Sequence, residues 1–218
     1  MKKIGLICLA LVLALGTLGA AFAAWTDTVV IGQTVNTGTL QAGVFAVQRH
    51  TEEKDICTVD VTNLGFKFVM PVVAVPLGAL FEPGPYEFYD SATIDIGNFY
   101  PSIYILEDFV IGVGGTVPVR LIVTPTIVDL EGVYANMDLS WVIWKVSADG
   151  VIESLAEGWG AAIGEFDMIV TALQGVQLHG GDVLIIYLDK HLQQTAPQGA
   201  TASLSLSVKA IQYNEYPL

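Results

Sequence analysis

Few residues of this chain have the types and spacing that catalysis or metal binding needs. The three histidines, His50, His179 and His191, are not spaced as a His-x-x-x-His zinc pair. The glycine-rich run at residues 112–116 lacks the Lys-Ser/Thr ending that grips phosphate, so a hairpin loop is the better interpretation. The chain also has no Gly-x-Ser-x-Gly elbow. We therefore assign no catalytic residue and predict that the protein is not an enzyme.

Two pairs of neighbouring carboxylates are the remaining candidates for chemistry. Glu107 and Asp108 are adjacent in a predicted strand, and successive strand side chains point to opposite faces, so they cannot form a dyad. Asp129 and Glu131 could share a face and hold a calcium ion with backbone oxygens. Solvation of a loop is the simpler role for that second pair. We predict no metal site and no cofactor, and calcium stays open as an alternative.

The N-terminus has the order of a secretory signal. Lys2 and Lys3 precede a charge-free apolar stretch at residues 4–18, and Ala21 and Ala23 supply the small side chains that signal peptidase inspects. An uncleaved membrane anchor is the alternative, because residues 4–25 together are long enough to cross about 30 Å of hydrocarbon.

Cleavage is the preferred interpretation, with residues 1–23 forming a removable signal helix and the mature chain beginning at Ala24. The expected location is then outside the cell or on its surface. Signal peptidase becomes a transient partner, and membrane contact is expected only through the uncleaved signal.

The charge balance restricts the partners of the mature protein. Loss of the two signal lysines leaves 7 basic and 22 acidic residues, a net charge of −15. Such a surface repels nucleic acid, because binding to phosphates requires lysine and arginine. Yet 53% of the residues are hydrophobic and only 14% are charged, which is sparse for a soluble monomer. A chain this apolar must bury its surface in a core or against copies of itself.

The mature chain, residues 24–218, has the length and the uninterrupted composition of a single domain. Its one cysteine, Cys57, has no partner for an intrachain disulfide. An odd thiol in an exported protein can signal an intermolecular link, but burial as a small hydrophobe on a strand is the preferred interpretation.

Strand patterns run through almost the whole mature chain. The last of them alternates apolar and polar residues over ten positions, as a half-buried strand does. We expect a loop at residues 153–164 around Trp159, and a helical turn competes at residues 166–173. Eight to ten short strands separated by turns predict an all-β sandwich of jelly-roll or immunoglobulin type. The predicted strands cover residues 58–62, 66–75, 102–113, 117–128, 139–146, 183–188 and 202–211.

A resemblance to a known family rests on several short motifs in order. The mature chain opens with Ala-Trp-Thr-Asp-Thr at 24–28 and continues with Thr-Val-Asn-Thr-Gly-Thr-Leu-Gln-Ala-Gly at 34–43. This opening resembles the TasA/camelysin family, whose signal peptides are SipW-dependent. Ser102 replaces a usual glycine, and Gly180 or Gly181 stands where proline is common. Further similar motifs are Asn-Phe-Tyr-Pro at 98–101, Gly-Thr-Val-Pro-Val at 115–119, Gln-Leu-His-Gly-Gly-Asp at 177–182 and Ala-Ile-Gln-Tyr-Asn-Glu at 210–215.

The resemblance implies a jelly-roll sandwich that builds extracellular fibres of biofilm matrices, or bundling pili in archaea, by donor-strand complementation. The resemblance also implies metalloprotease activity, because camelysin is labelled a metalloprotease. This sequence shows no set of metal-ligating residues that supports that activity. Two other functions therefore stay open: an exported monomeric module that binds glycans or cell-surface proteins, and less favoured, a secreted metalloprotease. The glycan alternative depends on Trp141, Trp144 or Trp159 being exposed, whereas Trp141 and Trp144 flank an apolar pair and are expected in the core.

The fibre hypothesis assigns a role to the mature N-terminus, residues 24–38. Its alternating pattern predicts a strand, and the resemblance implies that this strand leaves its own domain and completes the sheet of the next copy, so that the protein is a homopolymer. The alternative is a strand that pairs within its own sandwich. The face of the strand expected to act in polymerisation carries Trp25, Asp27, Val29, Ile31 and Val35.

Overall fold

The computed structural model describes residues 38–50, 57–98, 100–174 and 176–212. These residues belong to one compact unit that spans Gly38–Leu218. Within it, strands alternate with short connections, and one helix follows the seventh strand. The elements are β1 (Leu40–His50), β2 (Thr58–Val72), β3 (Gly84–Gly97), β4 (Tyr104–Gly115), β5 (Val119–Val128), a 3-10 turn (Tyr134–Asn136), β6 (Met137–Val146), β7 (Ile152–Ala161), α1 (Ala162–Leu173), β8 (Val183–Leu192) and β9 (Ala202–Gln212).

The strands form one antiparallel sheet that curls into two halves. One half has the order β1-β4-β8-β6-β7, and the other has the order β2-β3-β9-β5. The halves meet where Val44 of β1 pairs with Tyr89 of β3. This architecture confirms the predicted all-β, jelly-roll-like sandwich.

The main hydrophobic core lies between the two halves. The inward residues of each strand follow the period of two, as in β9, where alternate positions from Ala202 to Val208 are buried. Inward aliphatic side chains of β4 and β8 meet those of β3 and β9, and Trp141 of β6 is 2% exposed. The packing therefore follows directly from the alternation in the sequence.

A second hydrophobic cluster covers part of the outer face of the first half. The β2–β3 hairpin has a register shift between Phe66 and Phe68, and its far end lies over β1, β4 and β8. Phe88, on that far end, is fully buried. Buried members of this cluster are Phe45, Met70, Val72, Phe81, Phe88, Val110, Val146, Val183 and Ile185.

Two glycines make room for this hairpin. Gly43 of β1 faces Gly112 of β4 in the strand register. A Cβ atom on Gly43 would lie 2.8 Å from the Cβ of Phe88, and one on Gly112 would overlap the Phe88 ring. The Phe88 side chain therefore occupies a notch that exists only because both positions lack side chains.

Several local predictions are corrected by the structure. Residues 153–164 were expected to be a loop, but residues 152–161 form β7. The glycines of this segment are typical of a loop. At Gly158 a glycine is required by packing, because a Cβ atom there would lie 2.6 Å from the Trp141 indole. Residues 112–116 are not a hairpin loop, because β4 and β5 pair with different strands and the segment crosses between the halves.

The predicted helical turn at residues 166–173 is the second part of α1. Strands β1 and β3 were absent from the pattern-based prediction, although the family resemblance implied a strand near residues 37–43. Within the described ranges, no helix is long and apolar enough to cross a membrane.

Candidate assembly edge and polar sites

The predicted donor and cleavage residues lie outside the described part of the chain. These residues are Ala21, Ala23, Ala24, Trp25, Asp27, Val29, Ile31 and Val35. The described residues instead show the surfaces that such a donor strand would meet.

Strand β2 is an edge of the sheet with an unusual amount of exposed apolar surface. Among the described residues this 15-residue strand pairs with β3 alone, so no described strand bonds to the backbone groups of its other side. Leu64, Phe66 and Val69 are each 58–59% exposed, and Val61 is 37% exposed. Val61 lies opposite buried Ile94, so it is on the inward face of β2 and is still partly exposed at this edge.

The other two edge strands are less suited to pairing with another chain. Strand β5 has Pro125 near its middle, and proline cannot donate a ladder hydrogen bond. Strand β7 carries exposed Glu153 and Glu157, and its end meets α1 where Glu165 contacts Gly160. Charged residues and covering elements are the usual protection of a sheet edge.

The edge of β1 that faces away from β4 is closed by side chains of β2. Asn63 accepts a hydrogen bond from the Ala46 N–H at 3.2 Å, and Lys67 Nζ donates to the Ala42 carbonyl at 2.9 Å. Lys67 also forms an ion pair with Asp90 at 2.7 Å. These contacts satisfy backbone groups that strand addition would otherwise use.

A buried ion pair joins β4 and β8 inside the main core. Lys190 Nζ donates to Glu107 Oε2 at 2.6 Å, and both side chains are 0% exposed. The Tyr134 ring centroid is 5.5 Å from Nζ. Within the described ranges, neither Glu107 Oε1 nor the Tyr134 hydroxyl has a hydrogen-bond partner. Burial raises the pKa of Glu107, and the charge of Lys190 opposes that shift.

Asp108 lies on the opposite face of β4, as the strand alternation predicted. Its Oδ2 accepts a hydrogen bond from the Leu80 N–H at 2.7 Å, under the far end of the β2–β3 hairpin, while Oδ1 has no partner. Burial raises the pKa of Asp108 to about 7, against the lowering effect of the Leu80 hydrogen bond. Glu107 and Asp108 therefore do not act as a pair.

The two acidic residues considered for calcium bind backbone amides. Asp129 accepts hydrogen bonds from Val133 N at 2.6 Å and Tyr134 N at 2.8 Å, and Glu131 accepts one from Thr201 N at 2.9 Å. No group of three or more His, Cys, Asp or Glu side chains that could hold a metal occurs among the described residues.

The cysteine lies in the core, as predicted, just before β2. Cys57 is 5% exposed, and burial raises its thiol pKa to about 11, with a further contribution from Glu107. A thiol that is buried and protonated is a poor nucleophile.

The tryptophans divide between core and surface. Trp141 is buried and donates to Glu165 at 2.6 Å, and Trp144 is partly buried against the second cluster. Trp159 is 74% exposed. It borders a cavity of about 250 Å³ on the outer face of the first half, where Tyr104 and His191 stack with ring centroids 4.3 Å apart. The other residues lining this cavity are Asp138, Ser140 and Asp189.

The buried ion pair was missed at the level of sequence, although a signal for it exists. Lys190 occupies an inward position of β8, in phase with Leu188 and Leu192. Glu107 is likewise in phase with inward Ile105 and Phe109 of β4. An acid and a base placed on apolar faces of two strands indicate a buried pair once the strands are known to be neighbours.

Comparison with known proteins gives little further guidance. No protein-family model matches the chain, and no curated protein does. One similar solved chain comes from the crystal structure of accessory secretory protein 1,2 and 3 in Streptococcus pneumoniae. The similarity covers 55% of this chain and 81% of that chain, at 15% sequence identity and a TM-score of 0.27. A likeness this low carries no information about function.

Proposed function

We propose that the protein is a secreted structural subunit that polymerises into extracellular filaments by donor-strand complementation. The donor is residues 24–31 at the mature N-terminus of one copy, and the acceptor is the free edge of β2 in the next copy. The observation that carries the proposal is this edge, which has no second partner strand in the described part of the chain and carries a row of exposed apolar side chains.

The lengths of the two segments are compatible. A donor of eight residues extends over roughly 27 Å, because a strand rises about 3.4 Å per residue. The 15 residues of β2 can accept it in full. One face of this segment carries Val29 and Ile31 together with Trp25 and Asp27, and the other face carries Thr26, Thr28 and Val30.

The free energy expected from burying the exposed apolar side chains of β2 is large enough to stabilise the contact between subunits. Complete burial of a large apolar side chain contributes about 1.5–3 kcal/mol. Leu64, Phe66 and Val69 are already partly covered, so each contributes at most about 0.9–1.8 kcal/mol if its exposed 58–59% becomes buried. Head-to-tail contacts of this kind do not close on themselves, so they propagate into a filament.

Electron microscopy of the purified mature protein tests the donor. Filaments are expected from the intact chain and soluble monomers from a chain without residues 24–31. A synthetic peptide of residues 24–35 should cap those monomers. Filaments of normal length from the deletion variant would exclude the proposed donor.

A matched pair of substitutions tests the acceptor. Leu64→Asp with Phe66→Asp on β2 should abolish filaments, because the new charges would lie against the apolar side chains of the adjacent donor strand. Ile122→Asp with Val128→Asp on β5 is the control, since these side chains are 41% and 50% exposed on the other edge. Loss of filaments in the β5 variant alone would show that the acceptor is the edge of β5 and not the edge of β2.

A second candidate function is an exported module that binds glycans, and Trp159 is the observation in its favour. An exposed tryptophan beside a tyrosine and carboxylates can stack on a sugar ring and accept its hydroxyl hydrogens. Titration calorimetry with neutral oligosaccharides tests this function. The glycan-binding function would be supported if the monomer binds a sugar and Trp159→Ala abolishes that binding. It would be rejected if no tested sugar gives a heat of binding.

A further inference from the structure

The Glu107–Lys190 pair has features that an ordinary salt bridge does not need. Its Nζ and Oε2 atoms are 2.6 Å apart, and neither side chain has any solvent exposure. Three other ion pairs of the described residues keep at least one side chain partly exposed. Removing two charges from water is costly, and the attraction between them recovers that cost only when the remaining polar atoms are also satisfied. Here no described residue forms a hydrogen bond with Glu107 Oε1.

We propose that Lys190 and Glu107 are joined by an intramolecular isopeptide bond, an amide formed between the two side chains after the chain has folded. The proposal concerns the stability of the subunit and does not depend on the filament function.

The reaction balances without any further reagent. A proton first passes from the Lys190 ammonium to the Glu107 carboxylate, which leaves a neutral amine and a neutral acid. The Nζ lone pair attacks Cδ of Glu107, the bond between Cδ and one carboxyl oxygen breaks, and that oxygen leaves with two protons as water. One proton stays on the new amide nitrogen. No oxidation occurs, and the positive and negative charges are both lost.

The surroundings favour this condensation over its reverse. Glu107 and Lys190 occupy diagonal positions of paired strands, because Glu107 faces Leu188 and Lys190 faces Ile105 in the register. Fixing two reacting groups in contact raises their effective concentration by many orders of magnitude. The Tyr134 ring beside Nζ and the surrounding aliphatic side chains exclude the water that hydrolysis would need. Burial also raises the pKa of Glu107, which favours the neutral acid.

The bond would serve a protein that lacks a disulfide within its described residues. It would join positions 83 residues apart in two neighbouring strands of the first half. Such a cross-link restricts the unfolded chain and holds β4 to β8 under tension. It also removes two buried charges from the core.

Intact mass spectrometry of the full secreted protein, denatured before measurement, tests the proposal. We expect a mass lower than that of the mature sequence by one water molecule. Tryptic peptides should include a branched species in which Lys190 is uncleaved and attached to the peptide that contains Glu107. The Lys67–Asp90 pair is an internal control, because its atoms are 2.7 Å apart but both side chains are exposed, and it should give only linear peptides.

Variants assign the bond to its two residues. Glu107→Gln keeps a reactive carbonyl, so we expect the loss of one ammonia in place of one water. Lys190→Met should have the full mass of its own sequence. The measurement on the unchanged protein is decisive even where a variant does not fold.

Three results would overturn the proposal. The first is the full sequence mass in the unchanged protein, and the second is a lost water mapped to other residues while trypsin cleaves after Lys190. The third is a loss of ammonia with Lys190 joined to Gln48. That side chain faces Glu107 from β1 and has a buried amide nitrogen without a hydrogen-bond partner.

Discussion

Replacement of Asp108 by asparagine should make the protein more stable at neutral and alkaline pH. The pKa of Asp108 rises from the ordinary 3.8 to about 7 in the folded protein, chiefly because the side chain is buried. The folded state therefore binds the proton more tightly than the unfolded state does. The stabilisation is fully present below pH 3.8 and is lost as the pH rises towards 7.

The size of the stability difference between Asp108→Asn and the wild type follows from the pKa shift of Asp108. A shift of about three pH units corresponds to roughly 4 kcal/mol, since each unit is worth about 1.4 kcal/mol. Asparagine can keep the hydrogen bond from the Leu80 N–H through its own oxygen, and it never carries the charge. Asp108→Asn should thus match the wild type near pH 4 and exceed it by roughly 3–5 kcal/mol at pH 8. For a domain of this length, that is a rise in Tm of about 10 °C.

Thermal and urea unfolding at pH 4, 6 and 8 measure the difference. Asp189 also has a raised pKa, so only the difference in stability between the variant and the wild type reports on Asp108. Asp167→Asn on the exposed face of α1 removes the same charge from a side chain in solvent and is the matched control. Parallel stability curves for Asp108→Asn and the wild type would refute the reasoning.

Three further predictions follow from other positions. Cys57→Ser should leave assembly intact, because the thiol is buried and its pKa is raised to about 11. Non-reducing gels that show disulfide-linked dimers as the functional form would contradict this prediction. N-terminal sequencing and intact mass of secreted protein should show a chain that begins at Ala24, and retention of the signal would disprove cleavage. Gly158→Ala should lower the free energy of unfolding by about 1–3 kcal/mol, because the new methyl group overlaps the Trp141 indole. Tryptophan fluorescence should report the displaced ring, and an unchanged spectrum with unchanged stability would count against the close packing.

The fold was predictable where the alternation of residues reflects a single buried face. Strand β9 is the clearest case, because alternate positions from Ala202 to Val208 are buried as the pattern requires. The same rule separated Glu107 from Asp108 correctly. It failed for β7, where Gly158 is required by a neighbouring indole that no local pattern reveals.

The candidate site was less predictable because it depends on which strands are neighbours. The sequence shows that Lys190 shares a face with leucines, but only the pairing of β8 with β4 brings it to Glu107. The uncovered edge of β2 likewise depends on the order of strands in the sheet, which residue patterns do not specify. The proposed donor segment remains a prediction, because it lies outside the described residues.

The glycine notch beneath Phe88 separates the molecule into two regions that can lose structure independently. The far end of the β2–β3 hairpin is anchored by the second cluster, whereas the rest of β2 and β3 belongs to the main sandwich. Local opening of a protein follows such boundaries between cooperative units. Alanine at Gly43 or Gly112 should therefore release the hairpin end first, with faster amide hydrogen exchange there while the sandwich stays protected. Because Phe66 and Val69 lie on that part of β2, the subunit would lose its capacity to join a filament before it unfolds.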